Sequence, residues 1–477
     1  MAKQQAMTAK AKTLEEVVQL AGPEPLTTKT WSLYVDTEEA RGGRIVPRII
    51  RQLSSVHDRP QHALFAGHTG CGKSTELVRV GTELSRYYDV LYCQVQDRYS
   101  LTTLDYRQLL FLCAQLLIEH AQKSGVHLED DVVTSLLDWF DAQTVEEVKK
   151  KGYRVGLSGE LGGKAEVGTP SLLGKMGLVL QAFLKMSGEI FSGGETQIKV
   201  LKHIEQRLDL LVRHMAVIVR IIENAIQPKR LLLILEGLDK VEDLEQARKL
   251  FIDHRPQLLS IPASVIFTCP IRLWYDAEGL QAYPVHYLLP MIPVTAPPKS
   301  LSLTDAAAQM KMTRGLQTLR LIIEARVDTR FNLIEPEALN YIIIKSGGVL
   351  RDLFTLLRES ALEALLTGKT SIAESHARSA AHLLRNDYVN RLSPPARGGS
   401  AISFDDIKKA LGTADEWPRR DADKTPAFKL LLQTLCILEY NGETWHNLHP
   451  LVHEYLLAKE AAEEERRHRR EPELSRA

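Results

Sequence analysis

Gly67-His68-Thr69-Gly70-Cys71-Gly72-Lys73-Ser74-Thr75 matches the spacing G-x-x-x-x-G-K-[ST] at every constrained position. Glycines let a backbone wrap round phosphate oxygens so that several N–H groups point inward, and the helix that follows offers its positive N-terminal end. In that geometry Lys73 reaches the β- and γ-phosphates of a nucleotide and the Ser74 hydroxyl ligates Mg²⁺, while Thr75 supports the helix start. The flanking residues supply the context the motif needs. Gln61 to Ala66 (QHALFA) reads as a short strand, Lys73 to Tyr87 as a helix, and Asp89 to Val95 (DVLYCQV) as a second, buried strand. Parallel strands need a helical crossover, so this order predicts a parallel α/β domain.

A second stretch, Leu231 to Lys240 (LLLILEGLDK), has five consecutive aliphatic residues and ends in Glu236 and Asp239. That is the profile of a central strand buried on both faces. A phosphate loop needs an acid at the end of a neighbouring strand to hold the metal's water shell, and Glu236 stands there, with Asp239 three residues on; capping of the next helix is the plainer use of the same carboxylates. Ala263 to Thr268 (ASVIFT) is another strand, with Thr268 at its tip, where a hydroxyl can orient the attacking water or sense the γ-phosphate. A buried threonine satisfied by backbone fits the position too. Val285 to Leu289 is a fifth strand. Upstream, Arg44 to Leu53 has helical apolar spacing, and Leu104 to Gln122, Asp131 to Phe140 and Thr196 to Ala225 are further helices.

Eleven of the 29 glycines fall between Gly152 and Gly194, a density that disfavours interior helix and reads as a flexible insertion or glycine-rich hairpins, with a partner-binding or self-association element as the alternative. Beyond Pro297-Pro298 the strands stop, and Leu316 to Arg326, Pro336 to Lys345, Val349 to Leu366 and Ser371 to Leu384 are successive helices. Ser393 to Gly399 (SPPARGG) is a linker by composition. The organisation expected is a loose lead-in over 1–26 with one helix from Leu14 to Leu20, a core over 27–300 with the insertion at 152–195, a helical lid over 301–392, a small domain over 400–460 and, from Glu460, a charged helical end or tail over 461–477.

Over its 477 residues the chain balances 60 Lys+Arg against 60 Asp+Glu, which excludes a globally cationic surface built for nucleic acid or anionic lipid. No signal-peptide pattern and no long apolar span occur, so a cytoplasmic protein with no membrane span is expected. The five cysteines are odd in number, scattered and lack a C-x-x-C pair, which suggests neither a disulfide framework nor a zinc cage. His446, His449 and His453 have helix-like spacing, but Pro450 interrupts them and they read as ordinary surface and packing residues.

Together these pieces resemble the AAA+/STAND class of P-loop NTPases, especially bacterial AAA-family ATPases, over about Trp31 to Leu384. The resemblance implies ATP and Mg²⁺ as ligands, with the nucleotide held by Gly67 to Thr75, the metal by Ser74 and Glu236, and a sensor at Thr268. A helical lid follows the ATPase core in that class, and Ser346 to Leu353 (SGGVLRDL) looks like the lid motif whose arginine approaches the γ-phosphate. That makes Arg351 the sensor, its alternative being a plain surface helix residue. Many AAA+ motors have Asp-Glu at the strand end. Here Glu236 takes the Asp place and Gly237 follows, so the spacing is instead similar to STAND switches, where Asp239 assists hydrolysis, and slow turnover is expected. Arg272 is the candidate arginine finger for a neighbouring subunit.

The final unit is similar to the winged-helix module that often follows such lids: helix Ala427 to Thr434, strands Cys436 to Tyr440 and Thr444 to Leu448 joined by Asn441-Gly442, and a closing helix Pro450 to Lys459. Lys429 is the only charge on the first of these, so packing against the lid is preferred to DNA readout. The expected function is an ATP-binding, slowly hydrolysing molecular switch in bacterial signalling or conflict defence, with a nucleotide-dependent homo-oligomer and a protein partner or effector. The alternatives are a nucleic-acid-binding ATPase of loader or transposition-regulator type, and a nucleotide-binding scaffold that never turns over.

Overall fold

The computed structural model describes residues 10–55, 59–143, 201–202, 205–275, 283–297, 304–392, 402–412, 425–440 and 445–474. The glycine-rich insertion, the Ser393 to Gly399 linker and the Asn441-Gly442 turn lie outside the described residues. The core is a five-stranded, all-parallel sheet in the order β2-β3-β4-β1-β5, with β1 His62–Gly67, β2 Tyr88–Gln94, β3 Arg230–Glu236, β4 Ser264–Cys269 and β5 Val285–Leu289. The fold class is thus α/β, as the strand patterns require. The three inner strands β3, β4 and β1 are the continuous apolar runs, buried along almost their whole length, which is what a sheet covered on both faces demands.

Helices α1 (Leu14–Leu20), α2 (Ile45–Ser55), α3 (Lys73–Leu84), α4 (Tyr106–Lys123), α5 (Asp130–Gln143) and α6 (Leu208–Ala225) accompany the sheet. The α4 start is closed by a capping box, in which Asp105 accepts from the Gln108 N–H at 3.2 Å and the Gln108 side chain accepts from the Asp105 N–H at 2.8 Å. The helical unit consists of α7 (Asp305–Glu324), α8 (Pro336–Lys345), α9 (Leu350–Leu366) and α10 (Glu374–Arg391). The C-terminal unit has α11 (Phe404–Gly412), α12 (Pro426–Gln433), the antiparallel pair β6 (Ile437–Tyr440) and β7 (Trp445–Leu448), and α13 (Pro450–Leu474).

Three features sharpen or correct the sequence reading. Residues 11–20 include the expected helix, Leu14–Leu20, but are docked rather than loose: the Ala11 N–H donates to the Arg326 carbonyl at 2.7 Å, the Asp328 N–H returns a bond to Ala11 at 2.9 Å, and α1 packs Leu14 and Val17 against α9. A short segment with one buried face is stabilised by what it docks on, which a local pattern does not reveal. The charged stretch from Glu460 continues α13, the helical end of the two readings. Helix α12 packs on the core segment Ile271–Trp274 rather than on the lid, and α13 makes the lid contacts with α8 and α10 instead. Lys345 and Arg385 there reach Glu454 at 2.7 and 3.5 Å. Among the described residues no helix is long and apolar enough to cross a membrane.

Candidate functional site: a phosphate loop closed by the C-terminal unit

The loop between β1 and α3 has the conformation its glycines permit. Gly67, Gly70 and Gly72 all have positive φ, at 155°, 80° and 100°. Gly70 and Gly72 also lie against the lid: a Cβ on either would stand 2.9 Å from Arg351 Cβ or Leu350 Cδ1. The Arg351 N–H donates to the Gly70 carbonyl at 3.2 Å, so the first turn of α9 is hydrogen-bonded directly to the loop.

In the sheet order β4 separates β1 from β3, so the strand carrying Glu236 stands about 10 Å from the strand feeding the loop, two strand spacings away. Lys73 and Ser74 span that gap. The Lys73 ammonium donates to the carbonyls of Gly67 and His68 at 2.9 and 2.8 Å and pairs with Asp239 at 2.9 Å. Burial alone would pull this lysine down, but the charge of Asp239, helped by Glu236, outweighs it and the ammonium lies above the usual lysine range. The Ser74 hydroxyl donates to Glu236 Oε1. Burial raises the Glu236 carboxyl above its ordinary value and Asp239 adds to this, with the Ser74 bond working the other way.

Thr268, on the intervening strand, is fully buried and its hydroxyl accepts the Leu238 N–H at 3.0 Å. It holds the turn after Glu236 and is not among the residues lining the cavity, which corresponds to the plainer of the two sequence readings. Arg272 is 6% exposed and donates to the Val241 carbonyl at 3.1 Å; buried in its own subunit, it is not presented to a neighbour as an arginine finger.

The cavity above the loop has a volume of about 250 Å³. Its polar lining includes Lys73, Ser74, Gln94, Glu236, Asp239 and Arg351. Its apolar lining comes from distant parts of the chain: Pro25 and Leu26 of the N-terminal segment, Ile322 of α7 and Phe354 of α9. The Leu26 N–H donates to Thr75 Oγ1 at 3.2 Å, and the Arg326 guanidinium lies 4.3 Å over the Phe354 ring. Ser74 and Glu236 fit a hard cation. Glu236 Oε2 is buried with no hydrogen-bond partner among the described residues, and one or two such oxygens, completed by waters and phosphate, are the usual Mg²⁺ set.

Arg41 escaped the sequence reading, and His68, taken there only as part of the nucleotide-binding loop, has a second set of contacts. Arg41 is buried, and its guanidinium donates to the Cys71 carbonyl at 2.6 Å, to the Pro290 carbonyl, and through Nε to Thr37 Oγ1 at 2.8 Å, tying the loop to the segment after β5. His68, an unconstrained position of the motif, is fully buried between the loop and the C-terminal unit. Its Nε2 accepts the Glu439 N–H at 2.9 Å, so the proton sits on Nδ1, which donates to the Leu432 carbonyl at 3.1 Å. Burial first, then the positive charge of Lys73, pushes His68 down to about 3, and the ring is neutral. The Met291 N–H donates to the Glu439 carbonyl at 2.9 Å and the Tyr440 hydroxyl to the Gly347 carbonyl at 2.8 Å, so β6 bridges core and lid. His446 and His449 are packing residues buried in this interface, and His453 is exposed: His446 meets the Tyr275 hydroxyl at 2.7 Å and His449 lies 3.3 Å from Asp352. No cluster of three or more His, Cys, Asp or Glu side chains placed to hold a metal by themselves occurs among the described residues.

No protein-family model and no curated protein matches the chain. Solved structures resemble it at low identity. Drosophila ORC bound to DNA has 12% identity and a TM-score of 0.38, covering 91% of this chain and 79% of that one. The Thermotoga maritima RuvB Holliday junction branch migration motor has 10% identity and a TM-score of 0.34, covering 86% and 93%. The Walker-type ATPase of Pyrococcus abyssi has 12% identity and a TM-score of 0.36, covering 91% and 98%.

Proposed function

We propose that the chain is an ATP-binding, slowly hydrolysing switch of the AAA+/STAND type, in which the state of the phosphate loop sets the position of the C-terminal unit. The observation that carries this reading is His68: both ring nitrogens of a residue inside the phosphate loop are engaged by backbone of the C-terminal unit. Loop and unit therefore cannot move independently.

In this reading Lys73 exchanges its Gly67 and His68 carbonyl partners for the β- and γ-phosphates while keeping Asp239, and the loop N–H groups take the remaining phosphate oxygens. The adenine base lies against Leu26, Ile322 and Phe354. Ser74 and Glu236 hold Mg²⁺, which supplies charge neutralisation across the phosphates. Arg351, at the cavity edge on the lid helix bonded to Gly70, senses the γ-phosphate, and its engagement pulls α9 and the C-terminal unit that rests on it. A structural rather than DNA-reading C-terminal unit is supported by α12, whose one charge, Lys429, is buried against the core.

Three measurements on one set of proteins test the reading: binding of a fluorescent ATP analogue, single-turnover phosphate release, and mass photometry with and without a non-hydrolysable analogue. Lys73→Ala should bind nucleotide at least tenfold more weakly. Glu236→Gln should retain binding and lose hydrolysis. Equal affinity in wild type and Lys73→Ala would remove the site assignment, and equal phosphate release by all three proteins would remove the enzyme. A mass distribution indifferent to nucleotide would remove nucleotide-dependent self-association.

A further inference from the structure

Glu236 is committed to Ser74, and Asp239 is committed to Lys73. The residue after Glu236 is Gly237, at φ 92°, so no carboxylate grows from that position toward the cavity. The space beside it is filled from the neighbouring strand: a Cβ placed on Gly237 would lie 3.5 Å from Gln94 Oε1 and 3.7 Å from Gln96 Oε1. The two glutamines are not equivalent. Gln96 Oε1 is taken by the Lys240 ammonium at 2.8 Å. Gln94 Oε1 is buried, belongs to the cavity lining, and has no hydrogen-bond partner among the described residues. Gln94 ends β2 in direct register with Glu236 at the end of β3, so the two side chains leave adjacent strand tips. A buried acceptor left unmatched costs about 1–3 kcal/mol, and a polar group kept at that cost in a reaction cavity is a candidate for work on a ligand.

We propose that Gln94 is a catalytic residue that orients the attacking water for ATP hydrolysis, its Oε1 accepting a hydrogen bond from that water. The inference rests on the ATPase reading above. An amide is no base at neutral pH, so Gln94 takes no proton. The water oxygen forms a bond to the γ-phosphorus as the bond from that phosphorus to the β,γ-bridging oxygen breaks. The electron pair leaves with ADP, and the water's proton passes to a γ-phosphoryl oxygen, giving ADP and dihydrogen phosphate. Glutamine positions water in this way in GTPases without acting as a general base. The arrangement accounts for a site whose strand-end acid is followed by glycine: the positioning group comes from the next strand.

The test is single-turnover phosphate release, paired with the dissociation constant for a fluorescent ATP analogue, in wild type, Gln94→Leu and Gln94→Glu. Gln94→Leu keeps the shape without the acceptor. It should release phosphate on the order of 100-fold more slowly, the scale on which removal of one positioned group registers, with affinity within threefold of wild type. Gln94→Glu restores an acceptor at the same reach. It should recover to within about tenfold of wild type and gain a pH limb that wild type lacks, since the new group titrates. An unchanged rate constant in Gln94→Leu overturns the inference, as does a fall in affinity that tracks the fall in rate, because Gln94 would then be a structural or ground-state binding residue. Failure of wild type to release phosphate overturns the ATPase reading and this inference with it, a result separable from the others because it appears before any substitution is made.

Discussion

Replacing His68 by alanine leaves every constrained position of the phosphate motif in place and removes only the imidazole that joins loop to C-terminal unit. The Glu439 N–H loses the acceptor that His68 provides, and the Leu432 carbonyl loses one bond while keeping the Leu435 N–H at 3.3 Å, both in the interface that His68 fills. A buried polar group left unsatisfied costs about 1–3 kcal/mol, so the orphaned Glu439 N–H and the lost bond to Leu432 together weaken local closure by about 2–3 kcal/mol, on the order of 100-fold in the opening equilibrium. Closure is not abolished, because the bonds from Met291 to Glu439 and from Tyr440 to Gly347 remain. Native-state hydrogen exchange reads this at single amides. The Glu439 N–H should exchange about 100-fold faster in His68→Ala, while protection within β1 and β3 changes by less than about threefold. A nucleotide analogue should shift exchange at Glu439 in wild type and shift it much less in the variant. Unchanged Glu439 protection in His68→Ala, or a nucleotide effect of full size without the imidazole, would refute the coupling.

Three other outcomes follow from the same geometry. Lowering the pH from 7 to 5 should loosen the C-terminal unit. Burial, with help from Lys73 at His68, holds His68 and His446 near 3, whereas a histidine released to water titrates near 6.5. The released state therefore binds more protons between those values, the stability these rings contribute is complete above about pH 6.5, and at pH 5 each favours opening by about 30-fold, which exchange at Glu439 and Tyr440 checks. Gly70→Ala should weaken nucleotide binding about tenfold or more, since alanine in the left-handed region costs roughly 1–2 kcal/mol and its Cβ would stand 2.9 Å from Arg351 Cβ; a titration with the fluorescent analogue measures it. Thr268→Val should lower thermal stability by an amount corresponding to about 1–3 kcal/mol, because the Leu238 N–H loses its acceptor, with a much smaller direct effect on nucleotide affinity.

Much of the core was legible because its signals are local. Five aliphatics in a row at Leu231–Leu235 can only be satisfied with both faces covered, and β3 is where that run predicts. Helix α8 begins and ends at Pro336 and Lys345 as the pattern expects, with proline at its first turn. The phosphate loop is likewise a local object: its conformation depends on glycines within a few residues of one another. Roles that depend on a partner were less legible. Thr268 and Arg272 carry residue types suited to catalysis, and only the tertiary contacts show the first serving the turn after Glu236 and the second serving Val241.

From the sequence alone came the parallel α/β class, the loop from Gly67 to Thr75, and the acids at Glu236 and Asp239, because hydrophobic periodicity and glycine spacing are encoded within a single turn or strand. The tertiary structure alone decided that His68 is the joint of the molecule, that Gln94 holds the free acceptor, and that residues 11–26 help to build the lid face and the cavity. The bonds of His68 reach 364 and 371 residues along the chain. No local pattern registers a partner at that separation, since the contact exists only once the sheet, the lid and the C-terminal unit have each buried their own apolar faces and come to rest against one another.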